Sequence, residues 1–179
     1  LGINDKYLSG KLSDSYLKNI DYNAKYILAV LSCVKYHNII NLLKAFKFLL
    51  NENDIKIKLI LVSQVLDKNY FKEIKDYIKI NFRNNEIILI NNLKGKYLLN
   101  LYKNAELYLF SSYCESFGLT SLEAMSQKCP VLISKNSALP EINSNACEYF
   151  NPDDEIDIKN KMYEILKNQI FKIELANRG

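Results

Sequence analysis

Residues 106–134 read ELYLFSSYCESFGLTSLEAMSQKCPVLIS, and their order decides the fold. Glu106–Phe110 is a short apolar run, suited to a buried strand. A polar segment, Ser111 to Gly118, follows it. Leu119–Lys128 carries apolar residues at helical spacing, and Pro130–Ser134 is apolar again. Strand, polar loop, helix, strand is the unit of a parallel sheet. Two parallel neighbours cannot be joined by a tight turn, so a helix must carry the chain back.

The same unit repeats on both sides. Lys25–Leu31 is read as a strand and Asn38–Glu52 as a helix, with apolar residues at 39, 42, 43, 46, 49 and 50 and Asn38 as its N-cap. Lys58–Val62, Tyr70–Phe82, Glu86–Ile90 and Lys96–Ala105 continue as strand, helix, strand and helix. Asp154–Asn168 is read as the final helix. The acidic cluster Asp153, Asp154 and Glu155 suits its positive end. Residues 1–22 lack periodicity and read as a linker ahead of one domain over 23–179. The fold class is therefore α/β, a Rossmann-like, doubly wound, mostly parallel sheet. Such sheets bind ligands beyond the carboxyl ends of their strands. That singles out the loops at 32–38, 63–69, 91–95 and 111–118.

Composition narrows the function. The chain has 179 residues, 49% hydrophobic and 25% charged, with a formal charge of +4. Lysine and glutamate are interspersed, so no concentrated nucleic-acid patch is indicated. No apolar run approaches the ~18–20 residues that span a bilayer. The chain starts at Leu1 rather than Met, which reads as a fragment or a processed chain. Four cysteines without C-x-x-C spacing and a single histidine argue against a zinc or redox centre and fit a reducing cytoplasm.

Two loops carry candidate chemistry. The first, Ser32 to Asn38, has neither a Gly-x-Gly-x-x-Gly pattern nor a Walker A sequence, but it places Lys35 and His37 beside a helix start. A cation and a helix N-terminus can together hold a phosphate; solvated loop residues are the alternative. The second loop ends in Gly118, one of only five glycines. Amides at Phe117, Gly118 and Leu119 would be unpaired donors at a helix entry, and these favour an anion. Glu123 falls on the shoulder of a stripe formed by Leu119, Leu122 and Met125, so its carboxylate needs a hydrogen-bond donor. Glu115 overhangs the same mouth. Two carboxylates would repel a phosphate, but they would accept hydrogen bonds from hydroxyls. A sugar nucleotide satisfies both demands. A capping role for Glu115 and a lysine partner for Glu123 are the structural alternatives.

The segment ESFGLTSLEAM at 115–125, with Cys129-Pro-Val-Leu-Ile-Ser134 and Leu139-Pro-Glu-Ile142 after it, resembles the donor-binding half of the retaining glycosyltransferases of family 4. That family pairs two Rossmann-like domains across a cleft, the GT-B fold. Leu1-Gly-Ile-Asn4 is similar to its interdomain linker, and Asn151-Pro-Asp-Asp154 to the segment before its last helix. The resemblance implies a nucleoside-diphosphate sugar as donor, no metal or other cofactor, and a glycan or lipid-linked acceptor held by an N-terminal domain. It implies hexosyl transfer in surface polysaccharide synthesis, in the cytoplasm or at the inner face of the membrane, and no activity from the isolated fragment.

Residue by residue, Glu115 would lie beside the transferred sugar, as the catalytic candidate. Glu123 would accept from the ribose. Phe117, Gly118, Leu119 and Thr120 would offer amides to sugar and diphosphate, and Asn91 to Leu93 would flank the base. The family's Arg and Lys after the first strand are replaced by Ser32 and His37, with Lys35 between them. A non-catalytic scaffold half and a sugar-nucleotide epimerase using His37 are the other readings.

Overall fold

The computed structural model describes residues 24–52, 55–83, 85–93 and 95–179. The expected linker at 1–22 lies outside the described residues. Six parallel strands form one sheet: β1 (Tyr26–Val30), β2 (Lys58–Ser63), β3 (Ile87–Asn91), β4 (Leu107–Phe110), β5 (Val131–Ser134) and β6 (Glu148–Phe150), in the order β3-β2-β1-β4-β5-β6. The helices are α1 (Ile39–Leu50), α2 (Lys68–Asn81), α3 (Gly95–Asn104), α4 (Leu119–Ser126), α5 (Leu139–Asn143), α6 (Glu155–Lys167) and α7 (Gln169–Arg178). A parallel strand covered on both faces must be apolar throughout. The central strands obey: Ile27, Leu28, Ala29, Leu107, Tyr108 and Leu109 are all fully buried.

The helices divide between the two faces. α1 packs on α2 and α6, and α3 packs on α4. Asp154 caps α6 by accepting from the amides of Ile156 and Asp157, as the acidic cluster foretold. Lys44 on α1 reaches Glu155 on α6 at 3.1 Å. α2 begins at Lys68, two residues before the expected Tyr70, because Asp67 accepts from the Asn69 and Tyr70 amides.

Two expectations are corrected and one is refined. Asn38 stands at the N-cap of α1 as read, but it does not cap the helix with its side chain. It sits in the left-handed region at φ 55°, and its Nδ2 donates 2.8 Å to the Pro152 carbonyl instead. The reason is a 3-10 turn at Lys35–His37, which must reverse before α1 can start. The helix at 154–168 is not the last, since α7 follows it directly. Leu119 does not join a buried stripe. It is exposed, and α4 buries Ser121, Ala124 and Met125.

Candidate functional site

In this strand order the chain leaves β1 toward one side and β4 toward the other. The β1 and β4 loops therefore part and open a crevice between them, at the carboxyl ends of the strands. A cleft of about 990 Å³ occupies that position. Ser32, Tyr36 and His37 line it from the β1 loop, Ser63 and Gln64 from β2 and the loop after it, Asn92 and Leu93 from the β3 loop, and Cys114 through Thr120 from the β4 loop. Three of the four loops singled out from sequence meet the fourth here.

The β4 loop is held from three directions. Ser111 Oγ donates to the His37 carbonyl at 2.7 Å, and the Tyr113 amide to the Tyr36 carbonyl at 2.7 Å, fastening it to the β1 loop. Ser134 Oγ, at the end of β5, donates to the Ser112 carbonyl. Ser137 accepts from the Glu115 amide at 3.2 Å and donates to the Glu115 carbonyl at 2.8 Å. Glu115 is thus fixed by its backbone, and its carboxylate takes the third contact. Its Oε1 lies 3.1 Å from Nε2 of His37, whose Nδ1 lies 2.7 Å from the Ser32 carbonyl.

Gly118 opens α4 at φ 70°, the left-handed region that an L side chain enters at a cost. A Cβ there would lie 2.6 Å from Cδ2 of Leu139. Gly118, Leu119 and Thr120 line the cleft mouth, and the first amides of a helix have no intrahelical partner. The Ser121 hydroxyl backs this turn, 2.8 Å from the Gly118 carbonyl and 2.7 Å from Asn143 Oδ1.

Glu123 is half-buried and does not line the cleft. The donor it needs is Tyr102 rather than a lysine, and the Tyr102 hydroxyl gives to Oε2 at 3.2 Å. Burial raises the carboxyl above the usual carboxylate range, and the Tyr102 hydrogen bond pulls it partly back. Burial also pushes the Tyr102 hydroxyl well up, so it stays a donor. Lys35 is exposed and does not line the cleft. Asn91 ends β3 opposite Ser63, and the turn into the cleft comes one residue later, at Asn92.

Tyr36, Ser63 and Gln64 fall in loops singled out from sequence but were not named as site residues, and Ser137 falls in none of those loops. Only the strand order brings their loops to Glu115. Among the described residues, no group of three or more His, Cys, Asp or Glu is arranged to hold a metal ion. No helix among them is long and apolar enough to cross a membrane.

Known proteins agree with this geometry. The family described as "Glycosyl transferases group 1" matches residues 17–179. The serotype-specific mannosyltransferase WbdA of Escherichia coli is 28% identical over 151 residues, 84% of this chain and 18% of that protein. The O-antigen chain mannosyltransferase RfbU of Salmonella typhimurium is 38% identical over 55 residues, 31% of this chain and 16% of that protein. The chain thus spans under a fifth of the length of these relatives.

Among solved structures, the apo structure of OtsA superimposes with a TM-score of 0.78 at 12% identity, covering 97% of this chain and 43% of that one. Sucrose-phosphate synthase of Thermosynechococcus elongatus gives 0.76 at 21%, covering 89% and 40%. With a family match across nearly its whole length and the sheet of a GT-B half, this chain belongs to the group 1 glycosyltransferases.

Proposed function

We propose that the chain is the donor-binding half of a retaining glycosyltransferase that moves a hexose from a nucleoside diphosphate to a glycan or lipid-linked acceptor. The observation that carries this reading is the cleft at the switch point. It brings the start of α4, whose first amides have no intrahelical partner, into one mouth with the carboxylate of Glu115. Phosphate is the ligand that helix-entry amides favour, and a sugar ring is the ligand that a fixed carboxylate in the same mouth favours.

The mannosyltransferase relatives support mannose as the transferred sugar and surface polysaccharide as the product. Bond cleavage at the anomeric carbon leaves negative charge on the diphosphate. Amides fixed before the reaction stabilise such charge without reorganising. Glu115 would hold the sugar's hydroxyls and so orient the anomeric carbon. Glu123, half-buried and outside the cleft lining, would accept from a ribose that extends past the cleft toward α4: Tyr102 takes one of about four acceptor positions on its carboxylate, leaving capacity for the sugar's diol. The acceptor would sit on an N-terminal domain across the cleft, at the inner face of the membrane. No metal is required by this scheme.

Calorimetry with UDP, GDP and their hexose conjugates tests it, on the chain and on Glu123→Ala. A nucleoside diphosphate is expected to bind, and loss of the ribose hydrogen bonds to cost roughly tenfold or more in affinity, since a hydrogen bond to a charged group contributes about 1.5–3 kcal/mol. Affinity unchanged in Glu123→Ala would remove the ribose assignment. No binding of any nucleotide would remove the donor site itself.

A further inference from the structure

α2 carries a charge pattern that works against its own stability. Lys68, Lys72, Lys75 and Lys79 are spaced four, three and four residues apart. At 3.6 residues per turn they fall within an arc of about 60° around the helix. All four are exposed. At 1.5 Å per residue the row runs about 16 Å, from the first residue of α2 almost to its end.

Residues three or four apart on a helix are neighbours, so Lys68 and Lys72, Lys72 and Lys75, and Lys75 and Lys79 repel along the row. Lys68 also sets a cation at the positive end of the helix dipole, where the Asp67 cap is the acid that offsets it. Elsewhere, Lys44, Lys159, Lys161 and Lys172 on α1, α6 and α7 each meet a carboxylate. None of the four α2 lysines forms an ion pair with a described residue. The acids of α2 itself, Glu73 and Asp76, stand to one side, in the groove that α2 forms with Ile40 of α1.

Exposed aliphatic side chains bracket the row. Leu66 precedes it at 58% exposed, and Ile80 follows it at 80%. Lysines along one face with bare apolar groups beside them are the pattern of a helix that lies on a bilayer. The cations meet the headgroups, and the apolar side chains enter the boundary below them. RNA would also satisfy the lysines, but it stacks on aromatic rings, and the bare neighbours here are aliphatic.

We propose that this face of α2 docks the chain on a bilayer surface that carries anionic headgroups. The docking does not depend on the donor cleft, but it fixes how the cleft lies. β2 and β3 are parallel, so the helix that joins them runs back along the strands. With α2 flat on the bilayer, the strands lie along the surface. Ser63 and Gln64, shortly before α2, line the cleft. The cleft mouth therefore opens along the bilayer rather than away from it, and a lipid-linked acceptor would reach it without leaving the membrane.

Co-sedimentation with vesicles tests this. The vesicles are phosphatidylcholine alone, or phosphatidylcholine with phosphatidylglycerol at about two to one. Binding is expected to the anionic vesicles only, and to weaken steeply as salt rises from about 0.1 to 0.5 M. Each basic residue near such a surface contributes a factor of about five. Lys68→Gln, Lys72→Gln, Lys75→Gln and Lys79→Gln together should thus weaken binding about a hundredfold or more. The control has the same change of charge on other elements: Lys25→Gln, Lys103→Gln, Lys128→Gln and Lys135→Gln, all at exposed positions. It should stay within about fivefold of wild type at 0.1 M salt, where charges beyond about 10 Å are screened. Far-UV circular dichroism checks that both variants are folded.

A second measurement reads the face directly. The chain has no tryptophan, so one that is introduced reports its own position. Emission of Ile80→Trp should shift to the blue on anionic vesicles. Emission of Ile170→Trp, at a site on α7 that is 73% exposed, should not. Equal losses in the two lysine variants, or a blue shift at position 170 with none at position 80, overturn the proposal. So do binding of single-stranded RNA without binding of vesicles, and no binding of vesicles at all. Each of these outcomes leaves the nucleotide titration of the cleft untouched.

Discussion

Gly118→Ala should cost more than any other single methyl addition near the cleft. The residue sits at φ 70°, and an L side chain in that region costs about 1–2 kcal/mol. The new Cβ would lie 2.6 Å from Cδ2 of Leu139, far inside contact distance. That methyl is the end of a side chain, but Leu139 is fully buried, with no open space to move into. Overpacking of this kind costs about 1–3 kcal/mol. Alanine also narrows the unfolded ensemble, which returns about 0.4–1 kcal/mol. The net is a loss of about 2–4 kcal/mol.

Urea unfolding followed by far-UV circular dichroism reads it. With a slope of about 2–3 kcal/mol per molar for a domain of this size, the midpoint should fall by about 0.7–2 M. The two contributions separate in a cycle with Leu139→Ala, which removes the obstructing methyl. In that background the added cost should drop to the backbone part, about 1–2 kcal/mol. A midpoint lowered by less than about 0.3 M in the single variant would refute the strained turn. Equal costs in both backgrounds would refute the clash.

Two further outcomes follow from the electrostatics and the thiols. Burial raises Glu123 in the folded chain above its unfolded value of about 4.3, so its contribution to stability is fully present below that value and is lost as pH rises through the folded one. Tyr102→Phe removes the donor that holds the carboxyl down. The acid limb of nucleotide binding, which needs ionised Glu123, should therefore move to higher pH; a limb that stays put would show that Tyr102 does not govern this carboxyl. Cys33, Cys129 and Cys147 are buried, and burial pushes Cys129 well above the ordinary thiol range and Cys147 up to about 12. A thiol reagent such as DTNB should thus label Cys114 alone in the native chain, and bound nucleotide should slow it. Fast release of more than one equivalent would contradict the buried assignments.

The sheet was legible because its inner strands are buried on both faces. Each of β1, β2, β4 and β5 had to be a short apolar run, and runs such as KYILAVL and KLILV announce themselves. The elements missed were those too short or too unevenly patterned to carry a period. β6 has three residues and α5 has five. α7 buries Leu175 while leaving Ile170 and Ile173 exposed, so it shows no clean stripe. Asn38 holds the N-cap position it was read for, but not by its side chain. Its residue type suits a helix cap, but a preceding 3-10 turn claimed its backbone, and the Pro152 carbonyl, 114 residues away, claimed its side chain.

For the site, sequence alone determined the loop that mattered. The spacing of Glu115, Gly118 and Glu123 about one strand-to-helix junction is local, and local chemistry is readable from order. It also determined that Glu123 needed a donor. Only the tertiary structure could say that the donor is Tyr102 and that Asn92, not Asn91, turns into the cleft. Above all, only the fold decided that His37 and Glu115, 78 residues apart, form one pair. Strand order sets which loops meet, and it depends on crossovers through the whole sheet rather than on any segment. A histidine read only beside its own helix start thereby becomes the hydrogen-bonded neighbour of a carboxylate on another loop.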